Sequence, residues 1–315
     1  MPFTVSHVAA ALPLRRMKLI WSAFVIGSMA PDFPYLFGST KYLQLAHAFP
    51  GILWFTFPAS LSALWLFHIA IKRPVVGLLP AGFHGRLHQH LGVFRFGGAA
   101  RFVAIALSLT LGLATHIGWD AFTHPFTWPW RRWVWLRSWI HLPLIGETET
   151  YVMLQYISTA IGMVALAVWI GLWYRQTVPT DGVVQGKRFP ATLALGMLAV
   201  AAAGGFVRAL VLTGAPRNID GADKFLALFA STSLALAFWE LLVYSLVTTA
   251  RQMQFQGGIT SMDVASPAFL GLPGPWSGKR LFSRELRPRS VDNPIEIYDS
   301  VLENRPTTNR TGRTR

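Results

Sequence analysis

The chain has 315 residues, of which 52% are hydrophobic and 13% charged, with 13 Trp and a formal net charge of +14. That is too apolar for an ordinary soluble protein of this length. The basicity suits membrane topology and anionic headgroups, not nucleic acid, for which no reading motif is present. Cysteine is absent, which excludes disulfides and thiolate metal sites and leaves His and carboxylate to hold any metal.

In chain order, the first apolar stretches are Val8–Leu14 and Leu19–Ala30. The second is only 12 residues long and runs into Pro31-Asp32-Phe33-Pro34. It is too short to span and predicts a re-entrant or interfacial helix. Arg15, Arg16 and Lys18 ahead of it, with Ser28-Met29-Ala30 behind, resemble a cleavable leader. Pro31 would follow the cut, an unfavourable position, so the N-terminus is expected in the mature protein.

Five longer apolar runs follow: Gly51–Ile71, Phe102–Gly118, Val152–Tyr174, Ala191–Thr213 and Phe225–Thr249. Runs of about 20 apolar residues cross a bilayer as helices, so the fold class is an all-α integral membrane bundle over residues 1–250. The remainder, 251–315, is rich in Pro, Gly, Ser and mixed charge and predicts a disordered basic tail. Trp128 to Trp139 is a Trp-rich loop suited to the headgroup zone.

Lys and Arg orient the bundle. With five spans, Lys72–Arg101, Arg175–Pro190 and the tail share one face. The region before residue 50, the Trp119–Tyr151 loop, Arg217 and Lys224 share the other. The connecting segments carry 8 cations on the first face and 9 on the second, so the 10 in the tail decide. The tail is expected in the cytoplasm.

The second run closes on Thr115-His116-Ile117-Gly118-Trp119-Asp120-Ala121-Phe122-Thr123-His124. Residues four apart share a helix face, so His116 and Asp120 stand together and His124 trails by a turn, just before Pro125. Imidazole plus carboxylate is a ligand set for zinc and other first-row metals; the alternative is a set of solvated helix-end side chains. His47 begins the antiparallel first span and shares the depth of His116 whichever way the protein faces. If Leu19–Ala30 dips and returns, Asp32 and His7 reach the same surface.

His84, His88 and His90 lie on the opposite face with no Asp or Glu between residues 72 and 101, and predict a basic surface turn. Two charges fall inside spans, where ionisable residues default to functional hypotheses. Arg208 is expected to snorkel towards the site face, where it could meet a phosphate. Glu240 lies about 15 Å deeper, too far for a direct pair with it.

The segments Met1-Pro2-Phe3-Thr4-Val5-Ser6-His7, Gly27 to Tyr35 and Thr115 to His124, with Arg73-Pro74, Leu78-Leu79-Pro80 and Leu154-Gln155-Tyr156, resemble a bacterial membrane family, domain of unknown function 4184, over about residues 1–250. More distantly, the order His, Pro-Asp, His, His-x3-Asp resembles membrane-bound metal-dependent hydrolases and zinc-dependent phospholipases C. That resemblance implies His7, Asp32, His47, His116 and Asp120 as ligands of a divalent metal, zinc first and manganese second. His47-Ala48-Phe49-Pro50 stands where those hydrolases carry a longer His-Arg-x-x-Thr-His-Ser block, so a full two-metal site is in doubt.

The resulting expectation is a multi-pass protein of the bacterial inner membrane. It would hydrolyse a phosphoester of a lipid or lipid-linked substrate, with Asp120 or Asp32 as ligand or base and His124 and Arg208 in support. The alternative is a non-enzymatic scaffold or small-solute carrier with a structural His/Asp cluster.

Overall fold

Within hydrocarbon every backbone N–H and C=O must be paired inside the protein, so long charge-free runs fold as helices. The computed structural model describes residues 4–38, 41–142, 146–179, 190–216 and 219–264. It contains five helices long and apolar enough to cross a bilayer. The first span is Ile52–Gly77, the second Ala99–Thr123, the third Thr150–Gln176 and the fourth Ala191–Thr213. The fifth occupies Gly221–Gln252 of a longer helix, Ile219–Val264. The chain is a multi-pass helical membrane protein.

Two boundaries differ from the sequence reading. The second span gains a turn at its start and more than a turn at its end; its 25 residues span about 37 Å, more than the about 30 Å hydrocarbon core. His116 and Asp120 therefore lie within the helix and not at its edge. The last helix continues to Val264, so helical structure does not stop at residue 250. The tail from residue 265 lies outside the described residues. A small antiparallel hairpin, Trp139–Leu142 with Gly146–Glu149, follows the Trp-rich loop.

The N-terminal segment organises the bundle. A 3-10 helix, Thr4–Ala11, leads through a turn into the short helix Trp21–Met29. This helix runs parallel to the second span. Ile20 N–H donates to Ser108 Oγ at 2.9 Å, and eight residues on His116 Nδ1 meets Ser28 O at 2.7 Å. Glycines permit the approach: a Cβ on Gly112 would sit 2.3 Å from Phe24 O, and one on Gly27 would sit 2.3 Å from Leu109 O. Ala23, Leu64, Ile105 and Leu109, all fully buried, lock the N-terminal helix to the first and second spans.

Its direction changes one expectation. Trp21 stacks on Trp169 near the end of the third span, and Ser22 Oγ hydrogen-bonds His68 Nε2 at 2.9 Å. The helix thus starts towards the Lys72–Arg101 end of the bundle and rises to the other. The turn bearing Arg15, Arg16 and Lys18, with Arg16 and Lys18 exposed, belongs to the end opposite His116, not to the same end. A short helix was legible from composition; its direction depends on which neighbour its glycines fit.

Candidate metal centre

Four elements bring the site together. On a 3-10 helix residues three apart are eclipsed, so Thr4 and His7 face the same way. The rising N-terminal helix ends in Ala30–Asp32 and delivers Asp32. The second span presents His116 and Asp120 one turn apart, and His47 closes a short helix, Leu43–His47, just ahead of the first span. His116 is fully buried, and His7, Asp32 and Asp120 are all buried. His47 is partly exposed.

Their polar atoms converge. His116 Nε2 lies 3.2 Å from Asp120 Oδ2 and 3.8 Å from Asp32 Oδ1. His47 Nε2 lies 3.6 Å and 3.7 Å from the same two oxygens. His7 Nε2 lies 3.4 Å from Asp120 Oδ1, and the His7 ring stacks on His116 with centroids 3.9 Å apart. All five expected ligands meet. They form two overlapping triads, His7/His116/Asp120 and Asp32/His47/His116, whose donor atoms lie within 4.8 Å of one another.

Tautomers follow from the hydrogen bonds. A carbonyl only accepts, so His116 Nδ1–H donates to Ser28 O, and His47 Nδ1–H donates to Leu43 O at 2.8 Å. Each ring thereby turns its Nε2 towards carboxylate oxygens. Backbone support of one imidazole nitrogen is how metal-binding histidines are oriented. His7, outside the five spans, is held neutral: burial and the neighbouring His116 take its pKa down to about 4. Burial raises the Asp32 carboxyl above its ordinary value.

An Nε2 facing a carboxylate is stabilised either by a proton on the ring or by a cation held between the two groups. His7 Nε2, His116 Nε2 and Asp120 Oδ1 are buried with no hydrogen-bond partner, and such orphaned groups are expensive. The N···O separations of 3.2–3.8 Å are long for charge-assisted hydrogen bonds, which run at about 2.7–2.9 Å. They match the spacing of a coordination shell: donors bound at about 2.0–2.2 Å in a tetrahedron lie about 3.3–3.6 Å apart. The residues fit a divalent metal.

Sequence reading missed Thr4, whose hydroxyl donates to Asp32 Oδ2 at 2.6 Å and leaves Oδ1 facing the histidines. Its three-residue spacing from His7 was the available signal. Tyr35 was also missed; burial raises its phenol above the ordinary value, as do Asp32 and Asp120 nearby. His124 caps the second span with Nδ1 3.7 Å from Asp120 Oδ1, where a supporting residue was expected. Arg208 lies with its guanidinium beside Gly38 and donates to Thr232 Oγ1 at 3.0 Å on the fifth span. No ion pair joins it to Glu240 among the described residues.

The family profile described as Domain of unknown function (DUF4184) matches residues 1–246. The chain belongs to that family, and every candidate ligand lies inside the matched region. No curated protein and no solved structure matches the chain.

Proposed function

We propose that this DUF4184 protein is a membrane-embedded metal-dependent hydrolase, with zinc the first expectation and manganese the second, acting on a phosphoester of a lipid or lipid-linked substrate. The observation that carries the reading is the set of buried, partnerless donors, His7 Nε2, His116 Nε2 and Asp120 Oδ1, aimed at one small volume. A metal in that volume supplies charge stabilisation and lowers the pKa of a water in its coordination sphere.

The chain's own groups have separable tasks. His47, His116 and Asp32 Oδ1 define one side of the volume and His7 the other, while Asp120 touches both through its two oxygens. Asp120 is thereby the carboxylate placed to receive a proton. His124, one turn on and more exposed, donates Nδ1–H to the Asp120 backbone carbonyl at 3.2 Å and sets a polar group beside the carboxylate. Thr4 fixes which Asp32 oxygen faces inwards. The surrounding spans keep bulk water out and strengthen every charge interaction inside.

The direction of the N-terminal helix also bears on orientation. Moving Arg15, Arg16 and Lys18 to the Lys72–Arg101 end gives the connecting segments there 11 cations against 6 at the site end. This supports a cytoplasmic tail and a site at the opposite surface of the bacterial inner membrane, without appeal to the tail's own charge.

Elemental analysis of protein purified without chelator tests the reading. We expect bound zinc or manganese, lost in His116→Ala and Asp120→Ala, together with metal-dependent release of headgroup or phosphate from phospholipid in mixed micelles. Variants that retain full metal content would overturn the site, and an inert metal-loaded protein would overturn the activity. One observation favours the carrier alternative: Glu240 Oε2 is buried in the fifth span without a hydrogen-bond partner. Solute uptake abolished by Glu240→Gln would support it.

A further inference from the structure

Beside the cluster lies a cleft of about 180 Å³, lined by Thr4 and Tyr35, by Tyr156 and Thr159 of the third span, and by a stripe of the fifth. The stripe is Asp223, Leu226, Ala227, Ala230, Ser231 and Leu234, spaced at helical period on one face. Such a face normally packs on a neighbour, yet here it borders open space. At the site end the third and fifth spans are joined by the Tyr156 hydroxyl donating to Asp223. Below that contact the small side chains of Ala227 and Ala230 leave room between the helices.

From Asp223 to Leu234 the stripe extends about 16 Å, the depth of one leaflet of an about 30 Å core. Thr4 and Tyr35 connect it to the cluster: Thr4 donates to Asp32, and the Tyr35 phenol lies in the field of Asp32 and Asp120. The cleft therefore has a polar end at the metal centre and an apolar wall running into the bilayer. With Tyr156 and Asp223 joined across its top, access is sideways from the lipid. Only an amphiphile satisfies both ends at once.

We propose that this cleft binds the acyl chain of a glycerophospholipid drawn laterally from the leaflet on the site side, presenting the phosphodiester of its headgroup to the cluster. The headgroup placement rests on the hydrolase reading above; occupation of the cleft by an acyl chain stands on the cleft geometry alone. The substrate class is thus a membrane-resident lipid and not a soluble phosphoester.

The experiment uses the full chain in nanodiscs of phosphatidylglycerol and phosphatidylcholine, the latter carrying a mid-chain diazirine, with metal content measured on the same samples. After photolysis, adducts should concentrate on residues 226–234 and on Thr159. They should exceed those on Val164 and Val168, exposed elsewhere on the third span, by about tenfold, as expected for a site over bulk lipid. Ala230→Trp should remove the excess and leave the metal content unchanged; Ala227→Leu, a smaller filling, should reduce it if the first variant fails to fold. Adducts spread evenly over all these positions, or an excess indifferent to both substitutions, would overturn the proposal. Protein without metal but with concentrated adducts would overturn the hydrolase reading and leave the acyl cleft standing.

Discussion

Two histidine groups sit at opposite ends of this bundle. His84 and His88 are four apart, on a short helix and the 3-10 turn that follows it in the Lys72–Arg101 segment, with ring centroids 6.2 Å apart. His116 and Asp120 are four apart on the second span. Local spacing is the same in both, and only the second belongs to a group able to hold a metal among the described residues. The difference lies in what distant segments contribute. At the site end three other segments bring His7, Asp32 and His47, and two backbone carbonyls fix the tautomers. The Lys72–Arg101 segment has no acidic residue at all. A helical pair becomes a site only when the rest of the fold is built around it.

The largest effect that tests this contrast is loss of a ligand. Asp120→Ala or His116→Ala should weaken metal binding beyond the about 100-fold upper range of supporting-residue changes, whereas His84→Ala and His88→Ala should leave metal content at the wild-type value. Equal losses from both ends would erase the distinction. Next comes the scaffold. Gly112→Leu drives a side chain into Phe24 O and should destabilise by about 3 kcal/mol, at the upper end of overpacking. Metal should be lost with it, because Asp32 travels with the displaced helix. Gly92→Ala, in open space at the other end, should change stability by less than about 0.5 kcal/mol.

Chelation should follow in magnitude. If the ion is present at about 100 times its Kd, its removal takes away about 2.7 kcal/mol, visible as a lower thermal midpoint in the wild type and no shift in His116→Ala. An equal shift in the variant would place the metal elsewhere, and the Lys72–Arg101 histidines would be the first to examine. The smallest change expected is Thr4→Val. Freed Asp32 Oδ2 should weaken affinity by about tenfold, the low end for a supporting hydrogen bond, while saturating metal still fills the site.

The spans were legible because lipid leaves a chain few alternatives: an apolar run of that length without charge is a helix. His116 and Asp120 were legible from helical spacing, and His47 from the antiparallel relation of two consecutive spans. Thr4 was not, since its role depends on a 3-10 helix, and a period of three carries little signal in eight residues. The direction of the Trp21–Met29 helix was hidden for another reason. It is decided by Gly27 and Gly112 fitting against backbone atoms in a different helix, a relation between positions 85 residues apart that no local pattern encodes. The Arg208 hydrogen bond to Thr232 on the adjacent helix was not legible either, because it joins two spans.

The parallel seating of the Trp21–Met29 helix on the second span has a consequence for biosynthesis. Nine residues cannot cross a bilayer alone, and the groove that receives them belongs to a helix translated some 80 residues later. The N-terminal helix can meet the first span through Leu64 and His68, but its full seating waits until Ala99–Thr123 has entered the membrane. Assembly of the centre thus reports that the first two spans have inserted in the right order and orientation.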